Sequence, residues 1–158
     1  MKPRVYVETS VISYLAARPS SDAVNVTRQH FSYQLWQRRA QVELLASDAV
    51  FAEARVGDDE AVRNRMVYLD ALELLSIHPL AEDLAAHLLR QKAVPAKAFT
   101  DAVHIAIAAL HEIHFIASWN FRHIVGALAR RRIETALSSA KAFVPIIATP
   151  EEILESLR

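Results

Sequence analysis

The sequence predicts an α/β domain in which a parallel sheet is covered by helices on both faces, a three-layer α/β/α arrangement. Three observations predict it. Short strand-like apolar runs alternate with longer helix-like stretches along the chain, the order expected of parallel strands joined by crossovers. The apolar fraction is 53% and the only glycines are Gly57 and Gly126, a composition that excludes a disordered chain and favours helices. Prolines at 3, 19, 79, 95, 145 and 150 fall near the boundaries between these runs. With 158 residues, no internal repeat and no Gly/Ser linker, the chain reads as one domain over 1–158.

The first strand is expected over residues 4–8, where Val5-Tyr6-Val7 leads into Glu8. Ser10 is a candidate cap for a helix over 11–17. Pro19-Ser20-Ser21-Asp22 marks a turn, followed by a helix to about 39 with Val24, Thr27, Phe31 and Leu35 on one stripe. Residues 42–46 (VELLA) read as the second strand. Ser47-Asp48 caps a helix to Val56, which Gly57 stops. Asp58-Asp59-Glu60 opens another helix, acids first, to about Leu72. The third strand is placed at 75–78, and Pro79 starts a helix with Leu80, Leu84 and Leu88 in register. Pro95 begins a helix through Leu110, residues 114–119 form a fourth strand, and 126–141 is helix-prone. Residues 145–148 are a last strand. Thr149-Pro150-Glu151-Glu152 is a strong helix start, with a threonine cap, proline in the first turn and acids at the positive end of the dipole.

Charge and composition narrow the function classes. Basic and acidic residues balance at 18 each, so any contact with nucleic acid depends on a local patch and not on the overall field. The absence of cysteine excludes disulfides and thiol-ligated zinc and fits a reducing compartment. The N-terminal run is too short, and too soon broken by Glu8, for a signal peptide. No stretch approaches the roughly 18 apolar residues of a membrane span, so a cytoplasmic location is expected.

Four side chains stand out by position. Glu8 ends the first strand and Asn120 follows the fourth, and both should face the crevice beyond the strand ends. Glu53 and Asp101 lie inside apolar helix stripes, the first marked by Ala49, Ala52 and Val56, the second by Ala98, Ala102, Ile105 and Ala108. A carboxylate facing a sheet costs several kcal/mol unless it is paired or bound to a metal, and neither stripe holds a lysine or arginine. If Glu8, Glu53 and Asp101 converge, either one is protonated or a cation sits among them; oxygen-only ligands suit Mg²⁺ or Mn²⁺. Plainer readings stand beside this one: Glu8 as a helix cap, Glu53 as a partly exposed helix acid, Asp101 bonding backbone amides near its helix start, and Asn120 as a turn residue. His104, one turn past Asp101, could touch a phosphate or be a core or supporting histidine. Arg122 and His123 could meet an RNA backbone, and Arg130-Arg131-Arg132 could extend that track or form a solvated helix face. Trp36 and Trp119 could stack bases or pack in the core.

The ordered set VYVETSVISYL (5–15), SDAVFAEA (47–54), FTDAVHIAIA (99–108) and ASWNFRHI (117–124) resembles the motifs of PIN-domain ribonucleases, and most of all the VapC-like toxins of toxin–antitoxin pairs. The ending VPIIATPEEIL (144–154) resembles that branch too, so the similarity covers nearly the whole chain. It implies a PIN-like sandwich and a Mg²⁺- or Mn²⁺-dependent endoribonuclease, with an antitoxin partner and a possible homodimer. It implies metal and catalytic roles for Glu8, Glu53, Asp101 and Asn120, with Thr9 and Ser10 in support. Two positions depart from the family: Glu8 and Asn120 stand where aspartate is usual, one with a longer side chain and one without charge. Those departures carry the competing reading, a PIN-fold binding module of weak or lost turnover that acts through a protein partner. A phosphatase would want an Asp-x-Asp pattern where this chain has Glu8-Thr9-Ser10, and a response regulator an acceptor aspartate where it has His78-Pro79.

Overall fold

The computed structural model describes residues 1–158. Five short strands, β1 (Arg4–Val7), β2 (Glu43–Ser47), β3 (Glu73–Leu75), β4 (Phe115–Ala117) and β5 (Ile146–Ala148), form one sheet in the order β3-β2-β1-β4-β5. Every pairing is parallel. β1 is central, and Val5, Tyr6 and Val7 are buried, as a strand covered on both faces requires. From β1 the chain winds toward β3, crosses back, and winds toward β5. The winding therefore reverses between β1 and β4, the place where an open α/β sheet leaves a crevice beyond its carboxyl ends. The register pairs Val7 with Ala117, so Glu8 and Ser118 leave the sheet side by side. The Glu8 N–H donates to the Ala117 carbonyl at 3.1 Å.

Eight α-helices surround the sheet: α1 (Thr9–Ala16), α2 (Ala23–Gln37), α3 (Asp48–Ala54), α4 (Asp59–Leu69), α5 (Ala81–Arg90), α6 (Phe99–Leu110), α7 (Ala127–Ser139) and α8 (Pro150–Ser156). α1 packs on α2, α3 and α4, and α8 packs on α2, whereas α5 packs on α6 and α7. The result is the expected α/β/α sandwich, with 42 buried apolar residues in one core cluster. No helix is long and apolar enough to cross a membrane.

Several elements differ in detail from the sequence reading. Glu8 is not the last strand residue; it is the N-cap of α1, its carboxylate accepting from the Ser10 N–H, so the helix begins two residues before the expected Val11. The third strand lies at Glu73–Leu75 instead of 75–78, because Leu45, Ala46 and Ser47 of β2 pair with Glu73, Leu74 and Leu75. Leu80 precedes α5 and is exposed; Ala81, Leu84, Ala85 and Leu88 form the buried stripe. On α2, Val24 and Thr27 are exposed and only the C-terminal half packs, through Ser32, Leu35 and Trp36. On α3 the buried stripe is Ala49, Val50 and Ala54; Ala52 is exposed, and Val56 lies beyond the end of the helix. The stripe expected on α6 is buried throughout. The Thr149 cap forms a full capping box, in which its hydroxyl accepts from the Glu152 N–H while Glu152 accepts from the Thr149 N–H.

Candidate active site

The end of β1, the end of β4, α3 and α6 bring their polar side chains to the crevice beside Glu8. Glu8 is 4% exposed. Its Oε2 accepts from the Ser10 N–H at 3.1 Å, from the Ser10 hydroxyl and from the Ser118 hydroxyl at 2.9 Å. Burial pushes its pKa up, and the His104 charge and these hydrogen bonds offset that only in part. Ser10 also accepts from the Trp119 N–H at 2.8 Å, and Ser118 accepts from the Asn120 N–H at 3.0 Å. The first acid is thus clamped by hydroxyls from both sides of the switch point.

Glu53 is held differently. Its Oε1 accepts from the Thr9 hydroxyl at 3.0 Å and from His104 Nε2. Partial burial pushes the Glu53 pKa up, but the His104 hydrogen bond and charge and the Thr9 hydroxyl outweigh it, and the net direction is down. His104 is fully buried. Burial lowers its pKa, and the Glu53 hydrogen bond with the charges of Glu8, Glu53 and Asp101 overcomes that, so the net direction is up. Glu53 is thus tied both to Thr9, the neighbour of Glu8, and to His104, one turn beyond Asp101.

Behind His104 runs a buried chain. His104 Nδ1 lies 2.6 Å from the Tyr6 hydroxyl, which lies 2.7 Å from Ser47 Oγ. Ser47 Oγ also accepts from the Val50 N–H at 3.2 Å, so one hydroxyl both caps α3 and ends the chain. With a neutral imidazole, Ser47 donates to Tyr6 and Tyr6 to Nδ1, leaving Nε2–H for Glu53. With an imidazolium, Nδ1–H donates to Tyr6 and Tyr6 to Ser47. Burial pushes the Tyr6 pKa far up, so it stays a phenol in either case.

Asp101 accepts at Oδ2 from His123 Nδ1–H at 2.8 Å. Asn120 Oδ1 accepts from the His123 N–H at 3.0 Å, so Asn120 is the turn residue of the plainer reading and orients the histidine that holds Asp101. Residues 120–126 form a tight loop in which the Ile124 and Val125 N–H groups both donate to the Asn120 carbonyl, at 3.0 and 2.8 Å. Gly126 closes it: a Cβ there would sit 2.2 Å from the Phe121 carbonyl oxygen. Gly126→Ala should therefore cost about 2 kcal/mol by forcing backbone apart, measured as a lowered urea midpoint. A midpoint equal to wild type would contradict this.

Glu8 Oε1, Glu53 Oε2 and Asp101 Oδ1 accept no hydrogen bond from the protein, and no buried polar atom lacks a partner, so these oxygens are not fully buried. As a donor set, three carboxylates with a nearby amide carbonyl fit a hard divalent cation. No group of three or more His, Asp or Glu side chains stands close enough to hold an ion as arranged.

The other candidates separate cleanly. Arg122 is exposed and makes no ion pair. Arg130 donates to Glu152 at 2.9 and 3.1 Å and ties α7 to α8, so only Arg131 and Arg132 of that run are exposed. Trp119 is a core residue whose Nε1–H donates to Ser32 Oγ at 2.8 Å, and Trp36 packs edge-on against Tyr68. Ser118, Tyr6 and Ser47 were not expected at the site.

No protein-family model matches the chain, and comparison with the curated proteins finds no match. Solved structures do match. VapC20 of Mycobacterium tuberculosis, described as a toxin that cleaves the sarcin–ricin loop, aligns with a TM-score of 0.53 at 18% identity, over 80% of this chain and 94% of that one. VapBC2 of Rickettsia felis, solved bound to a DNA fragment from its promoter, aligns with a TM-score of 0.57 at 12% identity, over 92% of this chain and 98% of that one. The chain has the fold of the PIN-domain VapC toxins. At these identities the likeness concerns the PIN fold itself.

Proposed function

We propose that this chain is a metal-dependent endoribonuclease, the toxin of a toxin–antitoxin pair. The observation that carries the reading is the hydrogen-bonded linkage at the switch point, where Glu53 is joined to Thr9 beside Glu8 and to His104 on the helix of Asp101, and where each acid keeps one oxygen that accepts no hydrogen bond from the protein. Bound by these acids, Mg²⁺ or Mn²⁺ supplies a Lewis acid for the charge that develops on a phosphodiester under attack by water. Ser10 and Ser118 fix Glu8, Thr9 and His104 fix Glu53, and His123 fixes Asp101, so each carboxylate presents its free oxygen in one orientation. Asn120 acts through His123. The likeness to a VapBC2 assembly on promoter DNA supports a cognate antitoxin as protein partner, and a homodimer belongs to the same reading.

Asp101→Asn should lower RNA cleavage in Mg²⁺ or Mn²⁺ by at least about 100-fold, beyond the loss that changes in outer-shell partners cause. Intact RNA with freshly prepared, antitoxin-free wild type in both metals would overturn the proposal.

A second reading is a PIN-fold binding module without turnover. It is favoured by Asn120, by the longer Glu8, and by the separate partners that each acid keeps. Calorimetry with Mn²⁺ divides the two: micromolar binding that Glu53→Gln removes supports the nuclease, and no heat of binding supports the module.

A further inference from the structure

Arg28, on α2, is half-buried, always charged, and pairs with no carboxylate. Its surroundings are aromatic instead. Its guanidinium carbon lies 5.2 Å from the Phe121 ring centroid and 5.8 Å from the ring centroids of Tyr14 and Trp119, all within reach of a cation–π attraction. One of its nitrogens donates to the Tyr14 hydroxyl at 3.1 Å, and that hydroxyl donates to Asn25 Oδ1 at 3.1 Å. Tyr14 in turn stands edge-on to Trp119, with centroids 6.4 Å apart. One cation therefore joins α1, α2 and the segment that leaves β4.

That segment carries the partners of two acids. The Trp119 N–H donates to Ser10 Oγ, and Ser10 donates to Glu8. Further along, His123 donates to Asp101. α2 grips the segment twice from one face, because Arg28 and Ser32 stand one turn apart. Ser32 Oγ accepts from the Trp119 indole N–H at 2.8 Å, and Arg28 lies over the Phe121 ring. The second grip matters because Phe121 is 46% exposed, so burial alone holds it loosely. The Phe121 carbonyl lies so close to Gly126 that no Cβ fits between them, so a shift of Phe121 reaches the turn that presents His123. Val24 and Thr27 of α2 are exposed, which leaves Arg28 among the few anchors of the N-terminal half of that helix.

We infer that Arg28 is a positioning residue: held among three rings, it clamps residues 119–123 against α2 and thereby sets where Ser10 meets Glu8 and where His123 meets Asp101. The inference rests on the ribonuclease reading and gives that reading a residue outside the acid cluster. Charge and geometry predict opposite signs for its effect on a bound cation. As a bare positive charge, Arg28 repels a divalent ion, and its removal tightens metal binding. As a clamp, it holds the partners of the acids in place, and its removal loosens metal binding.

The test compares wild type with three variants: Arg28→Met, which keeps an unbranched stem and loses the charge; Phe121→Leu, which keeps apolar bulk and loses the ring; and the two combined. Calorimetry with Mn²⁺ should give a dissociation constant raised roughly tenfold by Arg28→Met. Phe121→Leu should act in the same direction, and the double variant should be no worse than Arg28→Met alone, because either change breaks the same contact. RNA cleavage in saturating Mn²⁺ should show kcat lowered with KM unchanged. Amide hydrogen exchange without metal should be faster in Arg28→Met at the Ile124 and Val125 N–H groups, which close the loop onto Asn120, and unchanged in β1. Both side chains are partly exposed, and unchanged circular dichroism confirms that the variants fold. Mn²⁺ bound as tightly by Arg28→Met as by wild type, or more tightly, would overturn the clamp, as would losses that multiply in the double variant. A raised KM with kcat and Mn²⁺ affinity unchanged would make Arg28 a substrate contact and overturn the positioning role as well. A wild type that binds no Mn²⁺ and cuts no RNA would sink the ribonuclease reading. The exchange of Ile124 and Val125 then decides the clamp alone: faster exchange in Arg28→Met supports it, and equal exchange overturns it.

Discussion

Replacing His104 by leucine should lower the stability of the fold by about 2 kcal/mol at about pH 6, and by less at about pH 9. Leucine fills most of the space but cannot donate to Glu53 or bond the Tyr6 hydroxyl. The Tyr6 hydroxyl is buried and keeps only Ser47 as partner, so it carries most of the penalty. Glu53 carries less, because its side chain is 37% exposed and can turn to water. The sign of the pH effect follows from the direction of the shift. His104 has a folded pKa above its unfolded value, so its contribution is fully present below the unfolded value of about 6.5 and is lost as pH rises through the folded pKa. Glu53 is shifted down, so its share persists until pH falls below the ordinary carboxylate range. The gap between wild type and His104→Leu is therefore widest in mildly acid solution. Urea unfolding at both pH values measures it, and a gap that widens with pH would contradict the protonated His104–Glu53 pair.

The same variant bears on function under the ribonuclease reading. Without His104, Glu53 keeps only the Thr9 hydroxyl, so cleavage should fall by roughly 10–100-fold even where the protein remains folded. His104 touches no substrate in this account. It is a positioning residue that reaches back through Tyr6 to Ser47, the cap of α3, and α3 is the helix that carries Glu53.

The acids were legible because each breaks a local rule: Glu8 directly follows an apolar strand, and Asp101 sits on a stripe that proved buried throughout. Glu53 was found for an imperfect reason, since two of the residues used to draw its stripe are exposed and the true stripe is Ala49, Val50 and Ala54. The partners of the acids were not legible. Ser118 reaches Glu8 only because Val7 pairs with Ala117 across the sheet, and the bond spans 110 positions of sequence. Tyr6 reads in the sequence as an ordinary strand-forming aromatic, although a tyrosine buried in a central strand must find a partner for its hydroxyl. That demand was the available signal. β3 was misplaced by two residues for a related reason: which three residues of an apolar run pair with β2 is fixed by register, and register is a long-range property. A basic groove beside His123 was half visible. Arg122 and Arg132 stand out in the sequence, but Lys92 and Lys97 join them only when the end of α5 meets the start of α7.

The conservative change Glu8→Gln should separate stability from activity most clearly, because it removes one charge and almost nothing else. The Gln carbonyl can still accept from the Ser10 N–H, the Ser10 hydroxyl and the Ser118 hydroxyl, so the cap of α1 and the link to β4 survive. The variant lacks the desolvated carboxylate. Glu8 has its pKa raised by burial, which means that its charged form costs more in the folded protein than in the unfolded chain. Its contribution to stability is fully present below the unfolded value and is lost as pH rises through the folded pKa, so at neutral pH the ionised form is a cost to the fold. Glu8→Gln should accordingly be more stable than wild type by about 1 kcal/mol at neutral pH, a gain of the size found when a functional site is relieved of strain. The gain should shrink as pH falls and Glu8 of the wild type takes up its proton. RNA cleavage should be lost over the same range, because a neutral amide supplies no charge to a cation. Thermal unfolding at about pH 4 and about pH 8 reads the first effect, and a cleavage assay in Mn²⁺ reads the second. A variant less stable than wild type at the higher pH would show that Glu8 is anchored by more than its three hydrogen bonds. A variant that still cuts RNA at full rate would remove Glu8 from the site, and with it the reason for a buried acid at the point where the winding of the sheet reverses.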